Sequence, residues 1–264
     1  MNKISYIVLC SKKYKNIFDS NFKKSPPIKV NNNELLVIDN FSLEYPCVSL
    51  NKAIDAAMNN VIVFAQADVY LPNNWDINLL NIISDIENKE INWAVLGIWG
   101  ASKGNEFVGH LYSNGLQKEL GRDRSIVEAK SLDETIIILN KKTGVRFDDN
   151  FPNLFLYGND LLLSASKMNF KNYIICNYFV HNSTSHLRYF KNALKSIEYF
   201  RKKWPSELPF ITPYVTVYPN KYKNIHYKIK QDIKYFLPLY KRTLNLIYRR
   251  HEDPSSIFPK VLKP

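Results

Sequence analysis

Glycine is scarce in this chain, at eight of 264 residues, and neither GxxxxGK(S/T) nor GxGxxG occurs. P-loop and dinucleotide-fingerprint sites need closely spaced glycines where backbone amides cradle phosphates, so neither is expected. Cysteine is scarcer still. Cys10, Cys47 and Cys176 are odd in number and far apart, which excludes a disulfide framework or zinc knuckle and points to reduced thiols in a cytoplasmic protein. No apolar run approaches the roughly 18 residues that a membrane span requires. The opening stretch MNKISYIVLCSKK has a short apolar part closed by a lysine pair, and reads as a first buried strand, not a signal peptide. No nucleophile elbow and no HExxH helix is present either.

What the chain does have is apolar material: 45% hydrophobic and 14% aromatic residues, enough for a sizeable core. Its net charge of +12 implies a polyanionic neighbour, whether nucleic acid, an acidic membrane surface or an anionic substrate.

Apolar periodicity divides the chain into alternating elements. Strands are expected at residues 4–9, 34–38, 61–65 and 93–97, with helices at 50–59 and 75–86. The first helix would use Leu50, Ala53, Ile54, Ala57 and Met58, and the second Ile77, Leu80, Ile83 and Ile86. A polar segment from 12 to 29, closed by Pro26-Pro27, reads as a loop or short helix. Residues 100–125 read as a glycine-punctuated loop region and 132–139 (LDETIIIL) as one strand. A helix follows within 151–165, and 173–180 (YIICNYFV) reads as a strand ending at His181. This alternation predicts an α/β fold, with a mostly parallel central sheet and helices on both faces.

Ligands in such sheets sit outside the carboxyl ends of the strands. The buried run Val61-Ile62-Val63-Phe64-Ala65 leads directly to Asp68 and then to the breakers Pro72-Asn73-Asn74. Asp39, Asp160 and His181 likewise end strands or open a helix beside one. Each has a bland reading, as a solvated loop acid or a satisfied core histidine. Together, carboxylates and an imidazole suit Mg²⁺ or Mn²⁺ bridging phosphates.

The ordered segments Ser5-Tyr6-Ile7-Val8, Leu36-Val37-Ile38-Asp39-Asn40, Asn51-Lys52-Ala53-Ile54-Asp55-Ala56-Ala57 and Phe64-Ala65-Gln66-Ala67-Asp68-Val69 resemble the nucleotide-binding half of family-2 glycosyltransferases with the GT-A fold. Gln66-Ala67-Asp68 stands in place of that family's Asp-x-Asp, with glutamine for the first acid. The resemblance continues through Leu96-Gly97-Ile98-Trp99-Gly100, Leu132-Asp133-Glu134, Phe147-Asp148-Asp149, Tyr157-Gly158-Asn159-Asp160-Leu161 and Tyr178-Phe179-Val180-His181, covering about residues 4–186. It implies that Asp39 and Asn40 hold the nucleotide base with Cys10 and Gln66 beside the nucleotide. Gly97 and Gly100 would flank the donor sugar, and Asp68 and His181 would hold a divalent metal, Mn or Mg. Asp160 would be the general base of an inverting transfer. A shift of two residues would instead put Gly158 at the base position and make Asp160 a helix-start acid, leaving Asp148, Asp149 or Asp133 as alternatives.

The resemblance implies a nucleotide-sugar donor and a glycan or lipid-linked glycan acceptor, as in surface polysaccharide synthesis. Beyond about residue 185, basic and aromatic residues interleave, as in Tyr199-Phe200-Arg201-Lys202-Lys203-Trp204. Residues 1–186 are therefore expected to form the glycosyltransferase domain and 187–264 a basic helical extension. That extension reads either as packing helices or as a peripheral contact with an anionic membrane surface at its inner face. No RNP-type or helix-turn-helix pattern supports a specific nucleic-acid partner. The rival functions are a sugar-phosphate nucleotidyltransferase and a non-catalytic polyanion-binding module.

Overall fold

The computed structural model describes residues 3–30, 33–39, 41–42, 45–121, 125–183, 190–226 and 254. In chain order the strands are β1 (Ile4–Leu9), β2 (Glu34–Ile38), β3 (Val61–Ala65), β4 (Val69–Tyr70), β5 (Trp93–Gly97), β6 (Trp99–Ser102), β7 (Phe107–Gly109), β8 (Leu111–Ser113), β9 (Lys118–Leu120), β10 (Val127–Leu132), β11 (Ile136–Asn140), β12 (Lys171–Ile174), β13 (Phe179–His181), β14 (Phe210–Ile211) and β15 (Thr216–Val217). The α-helices are α1 (Lys15–Ser20), α2 (Pro26–Val30), α3 (Pro46–Ala56), α4 (Trp75–Glu87), α5 (Tyr157–Lys167) and α6 (Phe190–Lys203).

Nine strands form the central sheet in the order β2-β1-β3-β11-β5-β12-β10-β6-β7. The middle of this sheet is where the sequence carries unbroken apolar runs: every residue of β3 and β5 is buried. Side chains alternate between two cores, as strand geometry requires. Val61, Val63 and Ala65 of β3 face one core with Trp75, Leu79, Ile83 and Ile86 of α4. Ile62 and Phe64 face the other, with α3, α5 and α6. Helices therefore cover both faces, as the alternation predicts.

The sheet is mixed, which corrects the mostly parallel arrangement expected. The pairings β1–β2, β1–β3 and β5–β12 are parallel. The pairings β3–β11, β11–β5, β12–β10, β10–β6 and β6–β7 are antiparallel. Two misread segments account for the difference. LDETIIIL is not one strand: the polar Asp133-Glu134-Thr135 turn separates β10 from β11, and β11 inserts antiparallel between β3 and β5. Residues 100–125 are not a loop region; they hold most of β6 and all of β7, β8 and β9. These strands are only three or four residues long, too short for alternation to stand out among glycines and polar residues.

Smaller corrections follow the same logic. YIICNYFV is split into β12 and β13, because Asn177 is buried between them to bond Trp75. The second expected helix is amphipathic through Trp75, Leu79, Ile83 and Ile86, with Ile77 exposed. The first begins at Pro46, a residue suited to the first helical turn, and stops before Met58, which is 80% exposed. Strand β2 is one of the sheet's two outer strands, and its Val37 is exposed.

A second sheet, in the order β4-β13-β8-β9, lies off the end of β3. The boundary expected at residue 186 does not separate two cores. Ala193, Ile197 and Phe200 of α6, with Trp204, Phe210, Val215 and Val217, join the core formed by α3 and α5. The basic segments expected beyond residue 226 lie outside the described residues. Among the described residues no helix is long and apolar enough to cross a membrane.

Candidate active site

Strands β2, β1 and β3 lie side by side and run parallel, so the residues that follow them line one edge of the sheet. Asp39 follows β2, Cys10 follows β1, and Gln66 to Asp68 follow β3. The chain leaves β1 for β2 on one side and returns to β3 on the other. A crevice opens at such a reversal, outside the strand ends. Asp39 is exposed there, and Asn40 lies outside the described residues. Cys10 is buried, its N–H donating to the Ile38 carbonyl at 2.9 Å. Burial, helped by Asp19 and Asp39, pushes its thiol pKa up, so it packs as a neutral group.

Residues 66–69 form a tight turn, with the Val69 N–H donating to the Gln66 carbonyl at 3.2 Å. That turn starts β4, which pairs antiparallel with β13 and sets Val69 opposite His181. The pairing brings together two residues 113 positions apart in the chain (181 − 68 = 113): His181 Nε2 lies 3.6 Å from Asp68 Oδ2. This is longer than a direct hydrogen bond. Among the described residues, His181 Nε2 is buried without a hydrogen-bond partner. Burial pulls the imidazole toward neutrality, but Asp68 and Asp133 more than offset it and leave its pKa raised.

Asp133 arrives from the β10–β11 turn. The Gln66 N–H donates to the Thr135 carbonyl at 3.1 Å, so this turn is fastened to the one holding Asp68. Asp133 is half-buried, and its Oδ1 accepts from the Thr135 N–H at 2.9 Å and from the Thr135 hydroxyl. Its charge adds to the raised pKa of His181.

The neighbouring Glu134 points the other way, into the protein. Its carboxylate accepts from the N–H groups of Leu156 at 2.9 Å and Gly158 at 2.7 Å, at the amino end of α5. Asn159 Nδ2 donates to both the Leu132 carbonyl and the Tyr214 hydroxyl, at 3.1 Å each. Burial raises the Glu134 pKa to about 7, against the lowering effect of these donors. Gly158 is closely packed here: a Cβ would stand 2.5 Å from Ile137 Cδ1, at the end of a side chain, and 3.1 Å from Glu134 Cγ.

Asp160 is placed differently from the expected general base. It is 1% exposed, and its carboxylate accepts from Trp204 Nε1 at 2.7 Å and Lys203 Nζ at 2.9 Å. Lys203 also bonds Asp148 at 2.6 Å, and Tyr199 donates to Asp148 at 2.8 Å. The two acids shift oppositely around one lysine. Burial raises Asp160 despite Lys203 and Trp204, whereas in the less buried Asp148 the donors overcome burial and lower it. Asp149 bonds Asn51 at 2.8 Å. These acids hold α3, α5 and α6 together.

Gly97 and Gly100 pack under β10 and do not line an opening. A Cβ on Gly100 would meet the Ser131 carbonyl oxygen at 2.2 Å, and one on Gly97 would meet Leu132 Cβ at 2.9 Å. The missed features had faint signals. The polar triplet Asp133-Glu134-Thr135 inside an apolar run marks a turn, whereas nothing local links Lys203 or Tyr214 to residues 148–160.

Among the described residues no group of three or more His, Cys, Asp or Glu side chains is arranged to hold a metal ion. Asp68 and His181 do fit two positions of a Mn²⁺ or Mg²⁺ shell, since the unpartnered Nε2 beside a carboxylate oxygen is a ready donor pair. No protein-family model and no curated protein matches the chain. Among solved structures it aligns with the mannosyltransferase PcManGT from Pyrobaculum calidifontis in complex with GDP-Man and Mn²⁺, at TM-score 0.49 and 9% identity over 77% of this chain and 63% of that one. TarS 1-349 from S. aureus in complex with UDP-GlcNAc aligns at TM-score 0.45 and 13% identity, over 76% of this chain and 66% of that one. GalNAc-T7 with UDP, GalNAc and Mn²⁺ aligns at TM-score 0.46 and 12% identity, over 82% and 52%. The chain spans less than two thirds of the length of each.

Proposed function

We propose that the chain transfers a sugar from a nucleotide diphosphate donor to a glycan acceptor, with inversion and with help from a divalent metal. The observation that carries this reading is the convergence of Asp68 and the unpartnered His181 Nε2, at 3.6 Å, just outside the carboxyl end of β3. A nucleotide laid along the same edge would set its base near Asp39 and Cys10 and its diphosphate near Gln66 and Asp68. A metal held by Asp68 and His181 would neutralise charge on the departing diphosphate.

In this reading the acceptor hydroxyl attacks the anomeric carbon, the bond to the diphosphate oxygen breaks, and a proton passes to a carboxylate. Asp160 does not suit that role, because Lys203 and Trp204 occupy its carboxylate and no edge is open to an acceptor. Asp148 and Asp149 are engaged as well. Asp133 is half-buried on the turn fastened to the one that holds Asp68, and only one of its oxygens is committed to Thr135; we assign the proton-accepting role to it. Gly97 and Gly100 act by letting β10 approach, not by touching the sugar.

The test is turnover of a panel of nucleotide sugars with Mn²⁺, followed by Asp133→Asn with the donor that reacts. Loss of a general base lowers kcat by about 100-fold or more while donor KM stays near that of the wild type. A variant changed only in KM assigns the proton to another group. Release of pyrophosphate from a nucleoside triphosphate, without sugar transfer, would identify a nucleotidyltransferase instead.

A further inference from the structure

The proposed active site leaves the large positive charge of the chain unused, and one feature far from that site collects part of it. A groove of about 480 Å³ lies between β10, β12 and the end of α5, lined by Lys103, Lys130, Lys167 and Lys171 together with Glu128 and Glu207. Lys171 opens β12 beside Trp93, the first residue of β5. Strands β3 and β5 both run antiparallel to β11, hence parallel to each other. The groove therefore lies at the opposite end of the sheet from Asp68 and His181.

Its charges are unevenly matched. Glu128 is shared between Lys103 at 2.7 Å and Lys171 at 3.2 Å. Lys130 bonds only the neutral Asn105 side chain, at 2.8 Å, and Lys167 sits over the Trp204 ring at 4.4 Å. Among the described residues, four ammonium groups thus face two carboxylates around a concave surface, and two of the four have no carboxylate partner. Asn172, at the floor, is fully engaged with Leu162, Ser166 and Val95 and holds the groove's shape.

We propose that this groove binds an acidic glycan, a sugar chain carrying carboxylate or phosphate groups. Its two unpaired lysines are the anchoring charges. A concave, laterally bounded site does not match a flat membrane surface. Single-stranded nucleic acid needs exposed rings for base stacking; of the two aromatic rings that line the groove, Trp204 is only 3% exposed and covered by Lys167, and Phe170 is partly buried against the core.

The site is independent of sugar transfer, so its test reads binding alone. The full chain is titrated calorimetrically at low salt with two probes, a size-defined hyaluronan oligosaccharide and inorganic tripolyphosphate. The same titrations are made on the double variant Lys130→Gln, Lys167→Gln. Neither lysine holds an ion pair with a carboxylate, so the variant stays folded, with only a small fall in melting temperature from loss of the Lys167–Trp204 contact. Removing two screened surface charges should weaken binding of at least one probe by about fivefold or more. The proposal is overturned if neither probe binds, or if both bind the variant as tightly as the wild type. It is also overturned if oligothymidylate binds more tightly than either probe and through these same lysines, which would make the groove a nucleic-acid site.

Discussion

Replacing Lys203 with methionine separates an anchoring role for Asp160 from a chemical one. Lys203 Nζ lies 2.9 Å from the Asp160 carboxylate and 2.6 Å from that of Asp148. The Asp160 side chain is 1% exposed, so it cannot recruit water when the lysine goes. Removing one partner of a buried ion pair costs about 3–5 kcal/mol, because the remaining charge is left in a poor solvent. At roughly 2–4 °C per kcal/mol for a chain of this size, the melting temperature should fall by about 6–20 °C. Trp204 Nε1 still donates to Asp160 at 2.7 Å, which favours the lower half of that range. The sign of the pH dependence sharpens the test. Asp160 already has a raised pKa in the folded chain, and loss of Lys203 raises it further. The folded variant then holds a proton that the unfolded chain releases, so the defect is small in acid and grows as pH rises through the folded pKa. Urea unfolding of wild type and Lys203→Met at several pH values measures it. A loss below about 1 kcal/mol, or one independent of pH, refutes the buried-anchor account of Asp160.

Gly100→Ala places a methyl group 2.2 Å from the Ser131 carbonyl oxygen and 2.9 Å from Leu132 Cα. Backbone must shift to admit it, and urea denaturation should show a loss of about 3 kcal/mol; near-wild-type stability would mean that β6 and β10 are less closely apposed. Glu134 carries a folded pKa of about 7 against an ordinary 4.5. The folded chain therefore keeps a proton that the unfolded chain has lost, and stability falls as pH rises from 4.5 to 7, by at most about 3 kcal/mol. Glu134→Gln removes that slope, and thermal melts across the window check it; an unchanged slope assigns the titration to another group.

Much of the scaffold was legible because burial leaves a strong imprint on composition. Strands buried on both faces must be apolar throughout, and Val61-Ile62-Val63-Phe64-Ala65 and Trp93-Ala94-Val95-Leu96-Gly97 appear where expected. The sheet's direction was harder to see. Whether β11 runs with or against β3 depends on a three-residue turn, and Asp133-Glu134-Thr135 is short enough to be lost in an apolar run. Individual residues of the candidate site divide the same way. Asp68 and His181 each end or follow a strand, so their positions could be read locally, and the β4–β13 pairing supplies the contact between them. The surroundings of Asp160 could not be read locally, because Lys203 and Trp204 lie more than forty residues away in the sequence. An acid opening a helix looks the same in sequence whether its carboxylate meets solvent or a buried lysine.

The central claim concerns what Asp68 and His181 hold, and metal-dependent nucleotide binding tests it most directly. Melting temperature is measured with UDP and GDP, each with and without Mn²⁺, for the wild type, Asp68→Asn and Asp160→Asn, with each variant referred to its own ligand-free value. A ligand that binds only the folded chain at about 100 times its Kd stabilises it by about 2.7 kcal/mol. The account predicts a Mn²⁺-dependent rise with at least one nucleotide in the wild type and in Asp160→Asn, and its loss in Asp68→Asn. An equal rise in Asp68→Asn, or no rise in the wild type with either nucleotide, would contradict it.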